Sequence, residues 1–382
     1  MKRITQLIPK RLIFSRELRG LTIMDIAKAM NMSRQAVSNW ENGRRSPNVL
    51  IIKRLSTVLG VPYTFLITDQ PAMIQGDLTL FRSKVAVPKR TKISYDHILQ
   101  IYGFIVSQLS ELVKLPDFAL QGIISADSSF KILDQDYIEF IARSVRRHFG
   151  IQNGPIANVT ALLERAGIYV VFINEPGSGI NALTKEINGR FMVLLNIANQ
   201  SAVRIRFSLA HELGHILLHS QYQLSSYNNK EIHKRLEVEA NIFAGCLLMP
   251  KEGFLLDVTK PTLGGLVTLK THWKVAIQAM AVRLKQLNII DVQQETQIFK
   301  EISRNYSRKN EPYDFGPNSI PIEYPTLINS ALKYLENHNV EYTSKFQKYG
   351  YSLSFLEQTF PYLMFSKVNC EKLKSKPKLH LI

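Results

Sequence analysis

Cysteine is nearly absent from this chain. Two occur in 382 residues, Cys246 and Cys370, which excludes a disulfide framework and a thiolate metal cage and fits a reducing, cytoplasmic location. No run of about 18 apolar residues is present, so no membrane span is expected. The first residues, MKRITQLIPKRLIF, are basic but lack a long apolar core and a small-residue cleavage site, so they do not read as a secretory signal. Acidic residues are scarce: 31 Asp and Glu face 48 Lys and Arg, a net charge of +17. A polyanionic partner fits that excess. What remains is ordinary globular composition, 45% hydrophobic and 21% charged, on a chain long enough for two or three domains at about 100–200 residues each.

The charge is not evenly spread. Residues 1–70 hold 12 Lys and Arg against 4 Asp and Glu, a net of +8. Helical punctuation is clear there. Leu7–Leu18 repeats apolar residues at helical spacing and stops at Gly20. Thr22 with Asp25 approaches a capping box for a short helix over Ile23–Met30. Asn31-Met32 turns, Ser33 caps a helix over Arg34–Trp40, and Asn42-Gly43 ends it. Two short helices joined by a tight turn make a helix-turn-helix. Leu21-Thr22, Ile26-Ala27 and the run Ser33–Gly43 (SRQAVSNWENG) resemble the Cro/C1-type (XRE) repressor family, and Pro47, Leu55, Leu59 and Gly60–Leu66 continue the pattern. That resemblance implies a core of Ala27, Val37, Trp40 and Leu55. It places Arg34, Gln35, Ser38 and Asn39 in the major groove of a double-stranded DNA operator and Arg44 and Arg45 on phosphates. Ile23 departs from the family, where a backbone-contacting Gln is common. XRE proteins commonly bind two-fold sites as dimers, so a homodimer is expected by analogy.

The second informative stretch is Phe207–Pro250. It contains His211-Glu212-Leu213-Gly214-His215, an H-E-x-x-H on a helix-periodic background. One helical turn is about 3.6 residues, so His211 and His215 share a face and suit one Zn2+ ion. Glu212, offset by about 100°, suits a base acting on water. Two histidines are too few for catalytic zinc, which takes three protein ligands. The next helix, Leu236–Leu248, offers Glu237 and Glu239. Glu237 shares its face with Ala240, Asn241 and Ala244, small enough for close helix packing, so Glu237 is the expected third ligand and Glu239 the alternative. Upstream, Gly167–Ile173 and Arg190–Asn196 read as strands of a small sheet.

Arg206–His215, Glu237–Ala244 and Leu247–Pro250 look like the ImmA/IrrE metallopeptidases, a likeness extending upstream to Phe81-Arg82-Ser83 and Gly154-Pro155-Ile156 and downstream through Leu269–Val275 to Asn310-Glu311-Pro312. The resemblance implies metal-assisted peptide hydrolysis with Glu212 as base. An additional oxyanion donor is expected among His219, Tyr222, Tyr227 and His233. It also implies a protein substrate, an XRE-type repressor; because a repressor-like domain lies in the same chain, self-cleavage near Asp69–Lys92 is the other expectation. The expected fold is α+β: an all-α helix-turn-helix domain (1–70), a helical linker (71–135), a mixed zincin-like domain with a small sheet (136–255), a helix-turn-helix-like unit (256–295) and a C-terminal region without an assigned role (296–382). The helix-turn-helix-like unit carries Lys270, Lys274, Arg283 and Lys285, so a second DNA contact there is one option and packing the other. Two other functions stand beside the DNA-binding endopeptidase. One is a non-proteolytic, antitoxin-like repressor that uses the metallopeptidase fold as a sensor. The other is hydrolysis of a non-peptide amide.

Overall fold

In a computed structural model the chain is described over residues 6–69, 71, 75–83 (backbone alone), 87–124, 129–222, 229–306 and 310–365. The fold is α+β. Five helices open it: α1 (Pro9–Leu18), α2 (Ile23–Met30), α3 (Arg34–Glu41), α4 (Val49–Leu59) and α5 (Tyr63–Ile67). The capping box at α2 is complete: Asp25 N donates to Thr22 Oγ1 at 3.2 Å and Thr22 N to Asp25 Oδ2 at 2.8 Å. Asn31, at φ 53°, supplies the left-handed residue that turns the chain into α3. Ser33 Oγ then accepts from Ala36 N at 3.1 Å.

A four-stranded sheet, in the order β1-β3-β4-β2, holds β1 (Gln75–Ser83), β2 (Tyr169–Ile173), β3 (Ile180–Ile187) and β4 (Arg190–Asn196). β2 and β4 are parallel, β3 is antiparallel to β4, and β1 is antiparallel to β3. Side chains alternate between the two faces. Val170, Phe172, Ala182, Val193 and Leu195 enter one core, and Tyr169, Val171, Leu183, Met192 and Leu194 enter the other. Both faces are covered, which is why β2 and β4 are nearly unbroken apolar runs. The expected helical linker is corrected here: residues 75–83 form a strand. The long helix that follows, α6 (Lys89–Ser110), lies within the expected helical stretch.

The first core lies under α7 (Gln135–His148), α8 (Val159–Arg165), α9 (Ala202–His219), α10 (Lys230–Leu248), α11 (Lys251–Asp257), α12 (Leu263–Trp273), α13 (Ile277–Gln286) and α14 (Val292–Asn305). The second unites the five N-terminal helices with α6 and with α15 (Leu327–Asn337), α16 (Thr343–Gln347) and α17 (Leu353–Thr359). The C-terminal helices therefore pack against the N-terminal head. Arg11, fully buried, donates to Thr68 O at 2.9 Å and to Tyr349 O at 2.9 Å and lies over the Phe65 ring at 4.1 Å. Phe65 meets Tyr351 edge-on at 4.9 Å. Burial of each such ring contributes about 1.5–3 kcal/mol, so the head is held to the body by a substantial apolar contact.

Candidate metal centre

The helix α9 is buried along most of its length, packed against α10, α8, β4 and β3. Gly214 faces Phe243 of α10 so closely that a Cβ there would stand 2.9 Å from the ring. That missing side chain lets the two helices approach. The approach gathers His211, His215 and Glu237, whose candidate ligand atoms all lie within 4.8 Å of one another. His211 Nε2 and His215 Nε2 are 3.0 Å apart; Glu237 lies 3.3 Å from His215 Nε2 and 3.6 Å from His211 Nε2. Two donors on one tetrahedral zinc stand about 3.3 Å apart, given metal–ligand distances near 2.05 Å. The donor spacing fits the ion.

The proton positions fit it as well. His211 Nδ1 is 2.9 Å from Asn241 Oδ1, an acceptor, so Nδ1 carries the proton and Nε2 keeps its lone pair. His215 is fixed by a longer chain. Its Nδ1 is 3.0 Å from His219 Nδ1, and His219 Nε2 is 3.1 Å from Glu239 Oε2. The Glu239 carboxylate accepts from the Nε2–H of His219, which leaves His219 Nδ1 to accept from His215 Nδ1. His215 Nε2 is therefore also a lone pair. Burial pushes His219 down to about 4, against the pull of Glu239, so the ring is neutral near pH 7. Burial would raise Glu239, but His219, the Leu133 N–H and Arg235 outweigh it and hold the carboxyl below its ordinary value.

Glu212, buried beside the ligands, accepts from Thr184 Oγ1 of β3 at 2.6 Å. Glu239, the alternative ligand, faces away from the cluster, accepting from Leu133 N at 3.0 Å and Arg235 Nε at 2.8 Å. Of the residues expected to supply an oxyanion donor, His219 is committed to His215 and Glu239, and Tyr222 packs on the His219 ring at 5.7 Å. His233 is exposed one turn before Glu237, and Tyr227 lies outside the described residues. A cavity of about 370 Å³ opens one turn ahead of His211, lined by Asn181, Gln200, Arg204, Ser208 and Gln278 among others.

In the head, Arg34 and Gln35 are exposed on α3, with Ser38 and Asn39 half-buried and Arg44 and Arg45 exposed after it. Gln35 Nε2 donates to Asn39 Oδ1 at 3.1 Å. The α12–α13 pair has the expected helices, and three of its four cations are ion-paired within the chain, while Lys274 Nζ donates to Ala157 O at 3.2 Å. Lys270 is wholly buried with Glu311 at 2.9 Å and Asp314 at 2.6 Å; Arg283 pairs with Glu139 at 2.8 Å and Lys285 with Glu295 at 2.5 Å.

Residues 163–285 match the family model described as IrrE N-terminal-like domain, and residues 15–66 match the model described as Helix-turn-helix. The chain joins an XRE-type helix-turn-helix domain to an ImmA/IrrE-type domain. No curated protein matches it. The helix-turn-helix domain makes the head a DNA-binding module, and the IrrE-like domain, a peptidase-type domain, contains all four residues of the H-E-x-x-H and Glu237 constellation. No helix among the described residues is long and apolar enough to cross a membrane.

Sequence spacing missed the support behind these ligands. His219 sits four residues after His215, as His215 does after His211, so its place behind the cluster was available in the helical period. Asn241 likewise follows Glu237 by one turn. Thr184 left no such signal, because its contact with Glu212 depends on where β3 lies.

Proposed function

We propose that the protein is a DNA-binding transcriptional regulator whose IrrE-like domain is a zinc-dependent endopeptidase, cleaving an XRE-type repressor or its own chain. The observation that carries this reading is the convergence of His211, His215 and Glu237, whose candidate ligand atoms all lie within 4.8 Å of one another. These three side chains would hold zinc, which would supply Lewis acidity toward a peptide carbonyl. Glu212 accepts a proton from the attacking water as the water oxygen bonds the peptide carbonyl carbon, and gives it to the amine nitrogen as the C–N bond breaks. Thr184 orients the Glu212 carboxylate through its 2.6 Å hydrogen bond. Arg34, Gln35, Ser38 and Asn39 read operator bases, and Arg44 and Arg45 hold phosphates.

Cleavage of the chain itself draws support from β1. This strand belongs to the segment joining head and body, and Leu80 lies opposite Thr184, the residue bonded to the base. An extended peptide paired to a sheet edge is a recurring recognition mode. The test compares the full chain with Glu212→Gln after zinc is added, mapping products by mass spectrometry with and without an XRE-type repressor. The proteolytic reading expects fragments only from the unsubstituted protein. If neither self-cleavage nor repressor cleavage distinguishes the two while both bind the same operator equally, the reading as a non-proteolytic, sensor-type repressor replaces it.

A further inference from the structure

Arg90 lies outside the helix-turn-helix match, yet it shares a groove with the recognition helix. The groove, of about 420 Å³, is lined by Arg90 from the first turn of α6, Arg34 from the first turn of α3, and Thr22, Ile23 and Met24 at the start of α2. In a helix-turn-helix complex the second helix enters the major groove by its N-terminal residues while the first crosses the backbone. The space between the two helix starts therefore faces the phosphate ridge that borders the major groove. Arg16, deeper in the same groove, is neutralised by Glu41 at 2.6 Å; the Asp25 carboxylate accepts from Thr22, and its charge also feels Lys28 and Arg90, without a close ion pair to either. Among the described residues neither Arg34 nor Arg90 has an ion pair, and Lys89 and Arg90 are both exposed. Arg34 and Arg90 thus both reach the DNA-facing side without a close ion pair, one of them from the helix that packs against the sheet.

We infer that Lys89 and Arg90 of α6 contact DNA phosphates beside the recognition helix, so that the operator interface extends beyond the helix-turn-helix into the body. The inference rests on the reading of the head as a DNA-binding module. Phosphate contacts of this kind carry no sequence information but set affinity and its salt dependence.

The test uses the full chain and a labelled 30-base-pair duplex selected by that chain from random sequence, beside a scrambled duplex of equal length. Affinity is measured from low to moderate salt for the unsubstituted protein, Arg34→Ala, Arg90→Lys and the pair Lys89→Ala with Arg90→Ala. The double variant is expected to bind both duplexes about tenfold or more weakly near 0.1 M salt, with the log–log salt slope shallower by about two. Arg90→Lys keeps the slope, because a phosphate contact needs only the charge. Arg34→Ala loses selected sequence over scrambled. A double variant matching the unsubstituted protein in affinity and slope, while Arg34→Ala still fails on the selected duplex, overturns the inference alone. No salt-dependent binding by the unsubstituted chain overturns the inference and the DNA-binding reading together. Equal thermal unfolding of the variants shows that these exposed substitutions leave the fold intact.

Discussion

His219 Nε2 lies 3.1 Å from Glu239 Oε2, and both side chains are wholly removed from solvent. Neither residue touches the metal position, yet together they decide which nitrogen of His215 carries a proton. His219→Phe keeps the ring volume and removes the relay. Metal affinity of the full chain, measured by competition with a chelator, should fall about 10- to 100-fold, the usual effect of losing a partner behind a ligating histidine. An unchanged dissociation constant would show that His215 is held by packing alone.

Much of this arrangement is legible in the sequence where the physics is local. Helix periodicity and capping place α2 and α3 within a residue of their ends, and the i, i+4 rule brings His211 and His215 together. Glu237 follows from the same rule applied to a second helix. What the sequence conceals is tertiary. β3 reads INALTKEI, whose Thr184 and Lys185 interrupt an apolar run because one bonds Glu212 and the other pairs with Asp96 at 2.5 Å. The Asn188-Gly189 turn into β4, both residues at positive φ, was the local clue to that hairpin. The helices after Pro325 carry no motif, and only the packed structure shows that they cover the head.

Cys246 gives a pH-dependent readout. Burial pushes its thiol up to about 12, against the pull of Arg283. A thiol near its ordinary value in the unfolded chain and raised in the folded one contributes stability that is complete below about 9 and lost as pH rises toward 12. The folded protein at pH 8 should therefore leave Cys246 unmodified by iodoacetamide, as read by peptide mass mapping, and urea should expose it. Rapid native labelling of this cysteine would contradict its burial under Arg283 and Glu139. Alkaline unfolding should also set in earlier than for Cys246→Ala.

Lys270 separates the two readings of the α12–α13 pair. Its amine sits between Glu311 and Asp314, and Glu311 also accepts from Ile277 N at 2.7 Å at the start of α13. Lys270→Met strands two buried carboxylates, a change that costs about 3–5 kcal/mol when one partner of a buried pair is removed. Thermal unfolding should shift down by several degrees, while operator affinity of the protein that remains folded is unaltered. Loss of DNA affinity with unaltered stability would restore this unit as a DNA contact.

Gly214 sets the distance between the two ligand-bearing helices. His211 and His215 come from α9 and Glu237 from α10, so any change in helix spacing moves the third donor relative to the other two. A Cβ at residue 214 would meet Phe243 Cδ1 at 2.9 Å and Phe243 Cβ at 3.2 Å. Gly214→Ala should therefore force α10 outward at about 1–3 kcal/mol, the ordinary cost of overpacking, and weaken metal binding in the same protein. Adding Phe243→Leu removes ring atoms from the point of contact, so the double variant should recover both stability and metal affinity relative to Gly214→Ala alone. Chemical denaturation and chelator competition read the two effects separately. If Gly214→Ala lowers stability but leaves the metal dissociation constant untouched, helix spacing is not what holds Glu237 against the two histidines.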